Sequence, residues 1–85
     1  MNKKSITKEE RYLIASYEAV KNSENPLEVE LDRHQIAKIA NITDKCANAI
    51  VKQHIRANFF IKRGEFYFSC TDYGIKIAKS LLDSE

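Results

Sequence analysis

The chain has little of what marks a fibrous, secreted or membrane-spanning protein. Two glycines and one proline in 85 residues leave no collagen-like, linker-like or low-complexity stretch. Two cysteines, Cys46 and Cys70, are too few for the disulfide framework of a small secreted domain. No apolar run approaches the roughly 18–20 residues that cross a bilayer. Residues 1–10 lack the apolar segment of a secretory signal. A cytoplasmic location is therefore expected, with no membrane partner. Fourteen basic residues against twelve acidic ones give a formal net charge of only +2, so any affinity for a polyanion must come from where the charges sit. Catalytic signatures are missing too. There is no Gly-rich phosphate loop, no nucleophile elbow, and no Cys–His pair with a local signature. Cys46, Cys70, His34 and His54 are metal-capable, but their spacing fits no ligand pattern. The expectation is a non-enzyme with no metal and no cofactor.

What is there is an ordinary globular composition, 44% hydrophobic and 31% charged, at a length that holds one small domain. Residues 1–6 read as a flexible tail and 7–83 as a single domain. Thr7-Lys8-Glu9-Glu10 is a capping box that opens a first helix, with Leu13, Tyr17 and Val20 at helical spacing and an end near Asn22. Leu27-Glu28-Val29-Glu30-Leu31 alternates apolar and acidic residues, which predicts a short strand. Asp32 with Gln35 makes a second capping box, and Leu31 with Ile36 a hydrophobic staple, so a second helix runs to about Ala40. Asn41 suits a left-handed helix end, and Thr43 caps a third helix from Asp44 to about Asn58. Residues 59–62 and 65–70 predict a β-hairpin turning at Arg63-Gly64, with Gly64 supplying a positive φ. Phe59, Ile61, Phe66 and Phe68 are its expected core side chains, ahead of base stacking on Phe60 or Tyr67. Thr71 caps a last helix through about Leu82. The expected fold class is α+β with a small three-stranded antiparallel sheet, in the order helix, short strand, helix, helix, hairpin, helix.

Residues 33–52 fit a helix-turn-helix. Two helices joined by a tight turn cross at about 90–120°, which demands a small residue at the crossing, a left-handed turn residue and an apolar residue tucked inward. Ala37, Asn41 and Ile42 supply these, and Ile36, Ala40, Ala47 and Ile50 close the core between the helices. At about 100° per residue the third helix divides its faces. Ala47, Ile50, Val51, His54 and Ile55 share one side; His54 is expected to be a packed, hydrogen-bonded core residue. Lys45, Asn48, Ala49, Lys52 and Arg56 share the other. Lys and Arg suit guanine or phosphate, Asn suits adenine, and Ala permits close approach. Asp44 accepts from cytosine or only caps the helix. His34 contacts phosphate or is simply exposed. Lys62 and Arg63 give the hairpin a basic tip.

The order of elements resembles winged-helix transcriptional regulators. Residues 69–78 look like the Leu-Thr-x-x-Gly-x-x-x-Ala stretch that follows the wing in MarR-type and related regulators: Thr71, Gly74 and Ala78 match, and Cys70 replaces the leucine. The resemblance covers about residues 7–83. It implies sequence-specific binding of double-stranded DNA, with the helix at 44–58 in the major groove and residues 62–65 as the wing. The expected DNA-binding set is His34, Thr43, Asp44, Lys45, Asn48, Ala49, Lys52, Arg56, Lys62 and Arg63. The 85 residues do not include the longer flanking helices through which MarR-type proteins dimerise; a homodimer through the last helix, using Ile77 and Leu81, is the expected substitute. The alternative is a winged-helix protein-interaction module that binds no DNA, favoured by the low net charge and by Glu28 and Glu30.

Overall fold

The computed structural model describes residues 6–83, so the tail expected at 1–6 lies, apart from Ile6, outside the described residues. Helix α1, Lys8–Val20, opens on the reciprocal cap expected of Thr7 and Glu10: each side-chain oxygen accepts the other's amide at 3.1 Å. It ends at Val20, earlier than periodicity suggested, with Lys21 as its C-cap. Tyr12 through Ser16 are all buried, because α1 is covered on several sides by the other helices.

The strand expected at Leu27–Leu31 forms only in part. Pro26 sets the backbone into a 3-10 turn, Pro26–Glu28, leaving Leu27 exposed. The alternation survives only beyond it, with Val29 half-buried and Leu31 buried, and β1 is the pair Leu31–Asp32. Helix α2, Arg33–Ala40, follows at once. Asp32 caps it by accepting from the His34 amide at 2.8 Å, one residue earlier than the expected box with Gln35.

Helix α3 is Asp44–Arg56, capped by Thr43, whose hydroxyl accepts from the Cys46 amide at 3.2 Å. Asparagine ends both α2 and α3. Asn41 has φ 59°, and after it Ile42 N–H donates to Ala37 O at 2.8 Å while Asn41 N–H donates to Lys38 O at 3.1 Å. Asn58 has φ 67°, with Phe59 N–H donating to His54 O at 2.8 Å and Asn58 N–H to Ile55 O at 3.1 Å. Both are Schellman closures, which satisfy the last carbonyls and turn the chain sharply. The first makes the helix-turn-helix; the second aims the chain into the sheet.

Strands β2, Phe60–Lys62, and β3, Tyr67–Cys70, form the hairpin, and the antiparallel sheet runs β1-β3-β2. Two expectations fail here. The strands stop at 62 and 67, so a four-residue loop makes the reversal and Gly64 does not take a positive φ. The inward face is also displaced by one residue on β2: Phe60 is buried, Phe59 only partly, and Ile61 and Phe66 are exposed. In a strand such a displacement exchanges the two faces. Phe60 and Phe68 stack at 4.2 Å under Tyr12, and these rings centre the core.

Helix α4, Asp72–Asp83, begins after Thr71, whose hydroxyl donates to Asn58 O at 2.6 Å and accepts from Gly74 N–H at 2.9 Å. Gly74 lies against the Phe59 carbonyl so closely that a Cβ there would sit 2.3 Å from its oxygen. This is the physical content of the Thr-x-x-Gly spacing: threonine caps the helix, and glycine lets it lie on the chain between α3 and β2. Among the described residues no helix is long and apolar enough to cross a membrane.

Candidate nucleic-acid interface

Helix α3 divides as its periodicity dictates. Ala47, Ile50, Val51 and His54 are buried, whereas Lys45, Asn48, Ala49, Lys52 and Arg56 are exposed. The inner face is fixed at both ends. Ala37 and Ala47, both fully buried, let α2 and α3 close on each other, and Arg11 Nε donates to Ala40 O at 2.8 Å, tying α1 to the end of α2. At the far end His54 packs edge-on against Phe60 at 5.1 Å. Its Nε2 lies 2.9 Å from Glu9 O, and a carbonyl only accepts, so Nε2 carries the proton. Burial pushes its pKa below the ordinary 6.5 and the Glu9 contact opposes this, so the ring sits neutral in the core.

The remaining candidates occupy different settings. Thr43 and Asp44 stand exposed at the N-terminus of α3. His34, half-buried, brings Nδ1 within 3.0 Å of Asp44 Oδ1, so these two face each other across the starts of α2 and α3. Its ring also meets Phe66 of the wing loop at 5.5 Å. Lys62 and Arg63 are exposed on the hairpin, but Arg63 Nε donates to Ser69 Oγ at 2.9 Å, which holds the guanidinium along the sheet.

Arg33 is the residue that sequence reasoning missed. It is 9% exposed, and its hydrogen bonds tie the start of α2 to the wing loop, to α3 and to α1. Its N–H donates to Phe66 O at 2.9 Å, and its carbonyl accepts the Tyr12 hydroxyl at 2.7 Å. Nη2 donates to Glu65 O at 2.8 Å in the wing loop, and Nη1 donates to Asn48 Oδ1 at 3.0 Å on α3. Its Nε has no hydrogen-bond partner. Through Arg33 the wing and the exposed face of α3 are held in one fixed relation. An arginine in the first turn of a helix reads as solvated; its partners lie 15 and 32 residues away, and no local pattern announces them.

The surface is a basic, amide-bearing helix face beside a tethered hairpin. Such a face offers cations to phosphates and donors to base edges. No protein-family profile matches the chain, and no curated protein sequence matches it. Among solved structures, a MarR family transcriptional regulator from Silicibacter pomeroyi DSS-3 superimposes with a TM-score of 0.69 over 93% of this chain, at 20% sequence identity. The chain spans about half, 54%, of that regulator's length. The shared architecture is the winged helix, and the chain has that fold.

Proposed function

We propose that the chain binds double-stranded DNA sequence-specifically and acts as a transcriptional regulator. The observation that carries this is the exposed stripe Lys45, Asn48, Ala49, Lys52 and Arg56 on α3, opposite a fully packed inner face. In this reading α3 enters the major groove. Thr43, Asp44 and His34 lie at its leading end, and Lys62 and Arg63 reach a flanking phosphate or the minor groove from the wing. The action is non-covalent. One domain covers a short site, so two copies on a two-fold operator extend it, joined through α4, where Ile77 and Leu81 are only partly buried. The free thiols of Cys46 and Cys70 suit a reducing cytoplasm.

Selection from random duplexes tests this reading. An enriched motif is expected, two-fold symmetric if the protein pairs. No enrichment, together with no duplex binding at about 50 mM salt, overturns it. A second reading rests on the exposed Ile61, Phe66 and Tyr67 of the hairpin, an apolar surface suited to a protein partner. Under it the stripe on α3 is a solvated face and duplex binding is absent.

A further inference from the structure

We propose that Arg33 sets the base preference of α3 by fixing which way the Asn48 amide faces, so that Asn48 selects guanine rather than adenine. The inference rests on the DNA-binding reading above.

An asparagine free to present its whole amide edge pairs with adenine, accepting from N6 and donating to N7. Asn48 is not free in this way. Arginine has donors and no acceptor, so the atom facing Arg33 Nη1 at 3.0 Å must be the amide oxygen. The exposed branch of Asn48 is then its NH2 group. Arg33 is itself tethered: it is 9% exposed, its other Nη donates to Glu65 O at 2.8 Å, and its backbone bonds to Phe66 and Tyr12. A side chain that leads with donors meets two acceptors on guanine, N7 and O6, against one on thymine, O4, and is opposed by the N6 donor of adenine and the N4 donor of cytosine, so guanine is preferred. Arg33 makes no base contact in this account; it is a positioning residue.

Binding-site selection with wild-type protein, Arg33→Met and Asn48→Asp is the test. Arg33→Met keeps an unbranched stem that ends near the position of Nε, removes both Nη donors, and leaves in place the backbone bonds of residue 33 to Phe66 and Tyr12. Wild type is expected to prefer guanine at one position by roughly tenfold, the scale of one good base contact. Arg33→Met releases the amide, so that position moves to adenine while the rest of the motif stays the same. Asn48→Asp keeps its partner in Arg33 but presents an acceptor, and the position moves to cytosine. A merely structural Arg33 would weaken binding to every site without changing the preferred base. Adenine selected by wild type, or one unchanged base in all three proteins, overturns the inference and leaves the DNA-binding reading standing. No selection by wild type overturns both. If Arg33→Met fails to fold, wild type and Asn48→Asp decide together: guanine that moves to cytosine supports the inference, and adenine in wild type or an unchanged base overturns it.

Discussion

Replacing Gly74 by alanine tests whether the α4 helix really lies on the junction between the third helix and the hairpin. The added Cβ falls 2.3 Å from Phe59 O and 3.0 Å from Phe59 C and Cα. Ordinary carbon contacts have their optimum near ~3.5–4.0 Å, so the two segments must part by about 1 Å. The Phe59 carbonyl cannot yield cheaply, because it accepts from Thr71 N–H at 2.9 Å and lies 3.1 Å from the Thr71 hydroxyl. Two effects oppose each other. Alanine is better than glycine inside a helix by about 1 kcal/mol. Overpacking costs about 1–3 kcal/mol, and each weakened hydrogen bond adds about 0.5–1.5 kcal/mol. The overlap wins, and the net loss is about 2 kcal/mol, or roughly 8–16 °C in Tm for a domain of this size. Gly64→Ala is the control: its Cβ meets nothing nearer than Tyr67 at 3.6 Å and its φ is not positive. It should be neutral or stabilising by up to about 1 kcal/mol, through a less flexible unfolded chain. Paired thermal and urea melts followed by circular dichroism measure both. A Gly74→Ala protein as stable as wild type would refute the close approach, and with it the placement of α4 against Phe59.

Thr71→Val keeps the shape but removes the hydroxyl shared by Asn58 O and Gly74 N–H, and should cost about 1–2 kcal/mol in the same melts. His54 makes stability depend on pH. Its folded pKa lies below 6.5, so the unfolded chain takes up the proton first; stability is complete above about pH 7 and falls as pH drops through 6.5. The slope from this one proton is at most about 1.4 kcal/mol per pH unit, and His54→Gln should flatten it between about pH 7.5 and 5.5, where few carboxylates titrate; an unchanged slope would contradict the assignment. Burial pushes the Cys70 thiol up to about 12, whereas Cys46 is partly exposed. A thiol reagent at about pH 8 should therefore modify Cys46 in the native protein and Cys70 only on unfolding, which peptide mass spectrometry resolves.

Local chemistry was the most legible part of the sequence. The caps at Thr7, Asp32 and Thr43 and the left-handed Asn41 form from residues within a few positions of one another, so the order of side chains is enough to place them. The two faces of α3 were equally legible, because apolar and polar residues separate cleanly at the helical period. The hairpin was not. Phe59-Phe60-Ile61 is apolar at every position, so alternation cannot choose a face. What chooses is Asn58, whose left-handed turn rotates the chain so that Phe60 meets Phe68 and Tyr12. Asn58 resembles Asn41 in sequence context only as a polar residue after a helix, and Arg63-Gly64 is a stronger local turn signal than Asn58. Pro26 shortened the strand before Leu31 for a local reason that the acidic-apolar alternation masked. Arg33 was illegible for the opposite reason: its meaning lies wholly in distant partners.

The salt dependence of duplex binding tests the central claim most directly. Fluorescence anisotropy on a selected duplex, titrated from about 50 to 200 mM salt, gives the slope of log K against log salt. The wild-type protein should bind more weakly as salt rises. Lys52→Ala and Arg56→Ala should each flatten the slope by about one while leaving the melting temperature nearly unchanged, because both side chains are exposed. Binding that ignores salt, or slopes that neither substitution changes, would contradict the assignment of this helix face to DNA.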